Sequence, residues 1–240
     1  MHVILKIQRF NPEHDDKPHF EDYSVEAKKT DRVLDSLMYV KTFIDGSLSI
    51  RKSCAHGICG SDAMIINGVE RLACKTLIKD AVGEDNNVIQ IEPLKSMAIK
   101  RDLMVDYTTF FQNYKNIKPF LINDEPVLEK ERLQSPEDRQ KFDDTTKCIL
   151  CGACYSACPV ENEKNHKFIG PAAIVQAARF VFDSRDKGFT DRLDALDKPD
   201  GVWACENKFN CTKVCPREIK VTKNINMTRN KIKSFKESKA

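Results

Sequence analysis

The sequence predicts an α+β protein in two parts, a mixed sheet-and-helix domain over residues 1–105 and a helical domain over residues 106–240. Three observations carry this. Short runs before position 105 alternate apolar and polar residues with period two, as half-buried strands do. Beyond Asp106 the apolar residues recur at helical spacing. The ten cysteines fall into two groups, three between positions 54 and 74 and seven between 148 and 215. A length of 240 residues accommodates two cores of ordinary size.

Taken in order, Val3, Leu5 and Ile7 alternate with Ile4, Lys6 and Gln8 and make a first strand. Residues 20–25 make a second, forming a hairpin with it. Residues 32–44 place Val33, Leu37, Val40 or Lys41, and Ile44 at helical spacing. Residues 63–66 and 70–73 flank Asn67-Gly68, the signature of a tight hairpin turn. Residues 88–92 make a last strand, stopped by Pro93. The compact solution is a four- or five-stranded sheet with one packed helix. In the second part Tyr107, Phe110, Phe111, Tyr114 and Ile117 fit one helical face, ended by Pro119. Residues 125–146 are polar, a linker or surface helix. Residues 171–182 form a helix with Pro171 in its first turn, and residues 219–235 form a basic helix.

Hydrophobic residues make up 41% and charged residues 31%, the balance of a water-exposed globular chain. No apolar run approaches the roughly 18 residues that span a bilayer. The N-terminus reads directly into a strand, with no apolar signal core, so the expected residence is the cytoplasm of a bacterium. In a reducing compartment ten cysteines point to metal binding rather than a disulfide framework. The net charge of +3 is uneven. Residues 217–240 hold eight Lys/Arg against two Asp/Glu, a net +6 that leaves the rest at −3. Such a run reads as a solvated helix face, or as a surface for anionic lipid or an acidic partner. Aromatic residues are not interleaved with basic ones as in a nucleic-acid module.

Cys148, Cys151, Cys154 and Cys158, followed by Pro159, form C-x2-C-x2-C-x3-C-P. Thiolates are soft donors suited to iron–sulfur clusters, and in this frame the fourth Cys ligates the other of two clusters. Zinc knuckles instead pair two CxxC units. Cys205, Cys211 and Cys215, followed by Pro216, repeat the frame with its middle Cys replaced by Lys208. With crossed ligands, Cys148, Cys151, Cys154 and Cys215 hold a [4Fe–4S] cluster. Cys158, Cys205 and Cys211 supply three thiolates, hence a [3Fe–4S] cluster; the alternative is a second [4Fe–4S] completed by water or another side chain.

Cys54, Cys59 and Cys74 match the plant-type frame C-x4-C-x2-C…C with Asp62 in the third position. A carboxylate can ligate ferric iron, and Ser61 is the alternative donor. Gly57 and Gly60 let backbone N–H groups turn toward the sulfurs. His56 suggests Rieske ligation only if a second His shares the iron, and none is in frame, so it reads as a surface residue. A [2Fe–2S], a [4Fe–4S] and a [3Fe–4S] centre together use all ten cysteines and Asp62. No GxGxxG, Walker loop, HExxH, acid/base arrangement or flavin site is legible. The chain therefore reads as a conduit whose two ends belong to other proteins.

The segments SCAHGICGSDAMIINGVERLAC, RDLMVDY, IKPFL, CILCGACYSACP, KFIGPAA, RFVFDSRD and the closing CxxxCP occur in this order. In them the chain resembles, over nearly its whole length, the iron–sulfur subunits of succinate dehydrogenase and quinol:fumarate reductase. The resemblance implies a β-grasp, plant-type ferredoxin domain followed by an all-α, bacterial-ferredoxin-like domain. It implies electrons entering from FAD in a flavoprotein subunit and passing through the three clusters to a quinone. It also implies one or more membrane-anchor subunits with haem b, and a peripheral position on the cytoplasmic side of the bacterial inner membrane. Pro159 carries over to the quinone pocket. Two positions depart from the family pattern: Glu163 stands where many ubiquinone-linked relatives have Trp, and Glu206 where a His is frequent. Menaquinol:fumarate reduction and a freestanding multi-cluster ferredoxin are the alternative functions. A heterodisulfide-reductase-like subunit would carry CCG motifs, which are missing.

Overall fold

The computed structural model describes residues 1–83, 86–164 and 167–239. Along the chain run β1 (His2–Arg9), β2 (His19–Glu26), α1 (Val33–Tyr39), β3 (Ala63–Ile66), β4 (Val69–Leu72), α2 (Ile78–Ala81), β5 (Val88–Glu92), β6 (Ile99–Arg101) and β7 (Met104–Val105). Then follow α3 (Thr108–Asn116), α4 (Pro136–Gln140), α5 (Ala153–Ser156), α6 (Gly170–Val181), α7 (Phe189–Leu196), α8 (Asn210–Lys213) and α9 (Val221–Glu237). The chain divides into two compact units, Met1–Tyr107 with Ile149–Ala157, and Thr108–Cys148 with Cys158–Ala240.

In the first unit the sheet order is β2-β1-β5-β3-β4. β1 and β2 pair antiparallel from His2↔Glu26 to Arg9↔His19, and β1 runs parallel to β5. Val3, Leu5 and Ile7 point inward on β1, as their alternation requires. A fully buried aliphatic side chain contributes about 1.5–3 kcal/mol, so these three fix the register. The β3–β4 turn places Asn67 and Gly68 at φ 49° and 77°, the primed turn that suits right-twisted strands. α1 buries Val33, Leu34 and Leu37 and continues as a π-helical turn over Val40–Ile44, of which only Val40 is buried. Its first turn is tied to the chain around Cys74: the N–H groups of Val33 and Leu34 donate to Thr76 and Ala73.

The strand over 88–92 is not the last. β6 and β7 form a further two-stranded sheet. Nothing in local alternation marks it, because it is organised by a long-range polar contact. Asp102, buried in its turn at φ 47°, accepts from Arg9 Nε and the N–H groups of Phe10 and Ser49 at 3.0, 3.0 and 2.7 Å.

In the second unit α6 is buried on nearly every side and packs against α3, α7 and α9. A helix apolar all round belongs at the centre of a core. Of the five-residue apolar face read from the sequence, Phe110 and Ile117 are buried and Tyr107 and Tyr114 half-buried, while Phe111 is 40% exposed. Residues 125–146 hold α4 and a 3-10 turn, Asp143–Lys147. α7 escaped the periodicity because it buries only Arg192 and Leu196. Arg192 pairs with Asp186 at 2.8 Å, donates to the Phe120 carbonyl at 2.7 Å and lies over the Phe180 ring. α9 turns Val221, Ile225 and Ile232 inward, while Lys236 pairs with Asp197 at 2.7 Å and Lys239 lies over Phe235. Ala240, the end of the basic run, lies outside the described residues. Among those described, no helix is long and apolar enough to cross a membrane.

Candidate metal centres

The loop from Cys54 to Asp62 wraps because Ala55, Gly57 and Gly60 take left-handed backbone angles, at φ 56°, 72° and 69°. Successive N–H groups then face inward, a concavity that favours negative charge. Cys54 Sγ accepts the N–H groups of His56 and Cys59, each at 3.3 Å. Cys74 Sγ accepts that of Gly57 at 3.2 Å. Arg32 braces the loop through the Ala55 carbonyl at 2.8 Å. These backbone donors draw the Cys54 thiol down to about 6, toward thiolate, the form that ligates metal. Burial and the adjoining Asp62 carboxylate push the Cys74 thiol up to about 12, a repulsion that bound iron would relieve.

Asp62 is 2% exposed. Its Oδ2 accepts the Cys74 N–H at 2.5 Å, whereas its Oδ1 is buried with no partner. An unpaired buried acceptor costs about 1–3 kcal/mol, which coordination to a cation would offset. This orphaned oxygen and the three thiols fit a [2Fe–2S] group. Ser61 Oγ lies 3.1 Å from Cys59 Sγ, and His56 is exposed.

Of the CxxCxxC run, Cys151 and Cys154 belong to the first unit. Leu150 and Gly152 take φ of 54° and 82°, and Cys154 follows on α5. Tyr107 donates to the Cys151 carbonyl at 3.1 Å. Burial pushes that phenol up to about 12, so it remains a donor at neutral pH. A Cβ on Gly152 would stand 3.2–3.3 Å from Tyr107, Leu94 and Met97, which leaves the backbone little room to shift. Ser156 Oγ donates to buried Glu70 at 2.9 Å and accepts the Lys95 N–H at 2.9 Å. Cys148 and Cys215 belong to the second unit. Cys148 follows the 3-10 turn and Cys215 follows α8, its carbonyl accepting the Glu218 N–H at 3.0 Å.

Cys158, Cys205 and Cys211 line one cavity, together with Pro159, Lys208 and Thr222. Three soft thiol donors on one cavity fit a trinuclear cluster. Burial pushes the Cys158 thiol up to about 11 and raises that of Cys211. Thr222 Oγ1 lies 3.5 Å from Cys211 Sγ. Between Cys205 and Cys211 the loop curls through left-handed Asn207 and Phe209. Lys208 keeps its ammonium largely in solvent, 3.9 Å from Glu206, which Lys164 also binds at 2.8 Å. Glu163 is exposed and does not line the cavity. Trp203 lies two residues before Cys205, and its indole N–H donates to Asp197 at 2.8 Å.

Several supporting residues escaped the sequence reading. Arg229 on α9 donates to the carbonyls of Val202 at 2.7 Å, Trp203 at 3.2 Å and Cys205, holding the chain that presents Cys205. In the sequence it is one of eight cations in a basic run. Ser156 and Glu70 meet 86 positions apart, with no local signal.

Residues 4–112 match the family described as 2Fe-2S iron–sulfur cluster binding domain, and residues 144–219 match the 4Fe-4S dicluster domain. The chain is 41% identical to the succinate dehydrogenase iron–sulfur subunit of Coxiella burnetii, covering 98% of this chain and 99% of that one. It is 40% identical to the fumarate reductase iron–sulfur subunit of Mycobacterium tuberculosis, covering 90% and 87%. Among solved structures it superposes on a chain of the Mycobacterium smegmatis Sdh1 complex in the apo form with a TM-score of 0.87. The identity there is 27%, covering 98% and 97% of the two chains.

Proposed function

The chain belongs to the family of iron–sulfur subunits of succinate dehydrogenase and fumarate reductase, and we propose that it relays electrons from FAD in a flavoprotein subunit to a quinone at a membrane-anchor subunit. The observation that carries this reading is the full-length similarity to subunits of both enzymes, on a chain whose cysteines fall in the cluster-binding frames.

The first domain, residues 1–105, is a β-grasp of plant-ferredoxin type, which the sheet order and the wrapped Cys54–Asp62 loop support. The second, residues 106–240, is helical and of bacterial-ferredoxin type. Cys54, Cys59, Asp62 and Cys74 hold a [2Fe–2S] cluster. Cys148, Cys151, Cys154 and Cys215 hold a [4Fe–4S] cluster. Cys158, Cys205 and Cys211 hold a [3Fe–4S] cluster, a reading the shared cavity and the Lys in place of a fourth Cys support. When bound, the three clusters supply one-electron transfer between the flavin and the quinone.

This chain's own residues fix where the donors stand. The loop N–H groups stabilise thiolate at Cys54, Tyr107 and Ser156 brace the second run, and Arg229 with Thr222 steadies Cys205 and Cys211. Pro159 lines the last cavity, and by the family resemblance it would contribute to the quinone pocket. The subunit sits peripherally on the cytoplasmic face of the membrane, beside anchor subunits that carry haem b.

The alternative reading is menaquinol:fumarate reduction: position 163 is Glu and not the Trp that the resemblance to ubiquinone-linked members implies at the quinone pocket. The deciding experiment is affinity purification of the tagged chain from its host membranes. Co-purification with a flavoprotein and an anchor, with succinate:quinone or quinol:fumarate activity, is the expected outcome. Recovery of the chain alone, fully loaded with clusters, would instead make it a freestanding ferredoxin.

A further inference from the structure

We propose that Gly60 is the electronic contact between the first cluster loop and the second, its missing side chain letting the backbone beside Cys59 lie directly against Cys151. This rests on the relay proposed above and deepens it. A Cβ built on Gly60 would stand 2.6 Å from Cys151 Cβ, 3.0 Å from its Cα and 3.3 Å from Ile149 Cδ1. Contacts under 3.0 Å require something to move, and the nearest atoms here belong to the Cys151 backbone and its first side-chain carbon. Gly60 is flanked by Cys59 on one side, with Ser61 and Asp62 on the other, so the contact joins a donor of one proposed centre to a donor of the next.

The approach is built from both sides. Gly60 is buried, and its φ of 69° is a conformation open to glycine at little cost. Cys151 is gripped from behind: Tyr107 holds its carbonyl at 3.1 Å, and Tyr107, Leu94 and Met97 crowd Gly152. α5 is tied down by Ser156, which bonds Glu70 of β4 and the Lys95 N–H, each at 2.9 Å. Electronic coupling decays exponentially with separation and falls more steeply through gaps than through packed atoms. A direct contact between these loops is therefore a short route between the centres. With both clusters bound, a single electron would pass from the reduced [2Fe–2S] group to the oxidised [4Fe–4S] group, with no bond formed or broken and no proton required. Ser156 is a positioning residue that keeps Cys151 in reach.

The test uses the assembled complex with Gly60→Ala and, separately, Ser156→Ala. Two quantities are read beside iron content: the magnetic interaction between the two reduced centres by EPR, and the rate at which the second centre is reduced after the first in rapid freeze-quench. With both centres assembled, Gly60→Ala should weaken the interaction and slow the transfer severalfold, and Ser156→Ala should do the same to a smaller extent. Unchanged interaction and rate in Gly60→Ala would overturn the inference. If Gly60→Ala fails to assemble a centre, Ser156→Ala decides by the same two readouts. Absence of either centre in the unsubstituted complex would overturn the relay itself, a result distinct from failure of the contact.

Discussion

At the scale of single residues, Asp62 carries the most information. Its side chain has two oxygens, of which the Cys74 N–H occupies one and nothing occupies the other. A buried oxygen left without a partner is costly, and coordination to a cation would offset that cost. Asp62→Cys should therefore keep a [2Fe–2S] centre, since thiolate is the common donor, and Asp62→Ala should weaken or lose it. Visible absorption and EPR of the two variants check this, and an unaltered spectrum and potential in Asp62→Ala would remove Asp62 from the donor set. Lys208 is the complementary case, a residue lining the cavity where a fourth thiol is missing. Lys208→Cys should convert the proposed trinuclear centre to [4Fe–4S], lower its potential and slow quinone reduction, because cluster type is among the factors that set potential. A full [3Fe–4S] signal in that variant, loaded anaerobically with iron, would show that geometry rather than the missing thiolate sets the nuclearity. Both positions stand out in the sequence because each breaks an otherwise regular cysteine frame. Arg229 and Ser156 were not, since what they hold is distant in sequence and chemically unremarkable until the chain folds.

At the scale of elements, legibility followed locality. β1, β3, β5 and α6 announce themselves through alternation or continuous apolar character, and their observed bounds lie close to those read from pattern. The β6–β7 hairpin and α7 do not, because each is organised by a buried polar contact. Asp102 anchors the first through Arg9 and two backbone N–H groups. Arg192 anchors the second through Asp186 and the carbonyls of Lys118 and Phe120. The Arg192–Asp186 pair is almost wholly excluded from water, at 0% and 1% side-chain exposure. Removing one partner of such a pair leaves a buried charge uncompensated and costs about 3–5 kcal/mol. Arg192→Met should therefore destabilise the second unit by roughly that amount in denaturant unfolding, and the double variant Arg192→Met/Asp186→Leu should recover much of the loss. A single variant as stable as the parent would mean that the carbonyl contacts and the stacking on Phe180 are dispensable as well.

At the scale of the whole molecule, the two compact units carry the eleven proposed donors, and the sequence holds no legible flavin or acid/base motif, so the proposed role is to carry electrons rather than to act on substrate. The isolated chain should accordingly show no succinate or fumarate turnover. Its place in a complex was legible because the cysteine frames are specific; quinone identity and direction were not, because Glu163 is an exposed charge outside the cluster cavity and Glu206, which lines it, is engaged by Lys164 and Lys208. The most direct test of the central claim is iron and acid-labile sulfide analysis of the loaded chain, combined with EPR of its oxidised form. Three centres in this donor set require about nine iron atoms per chain and a [3Fe–4S] signal in the oxidised state. Stoichiometric zinc, or about eight irons in two cubanes with no such signal, would contradict the account.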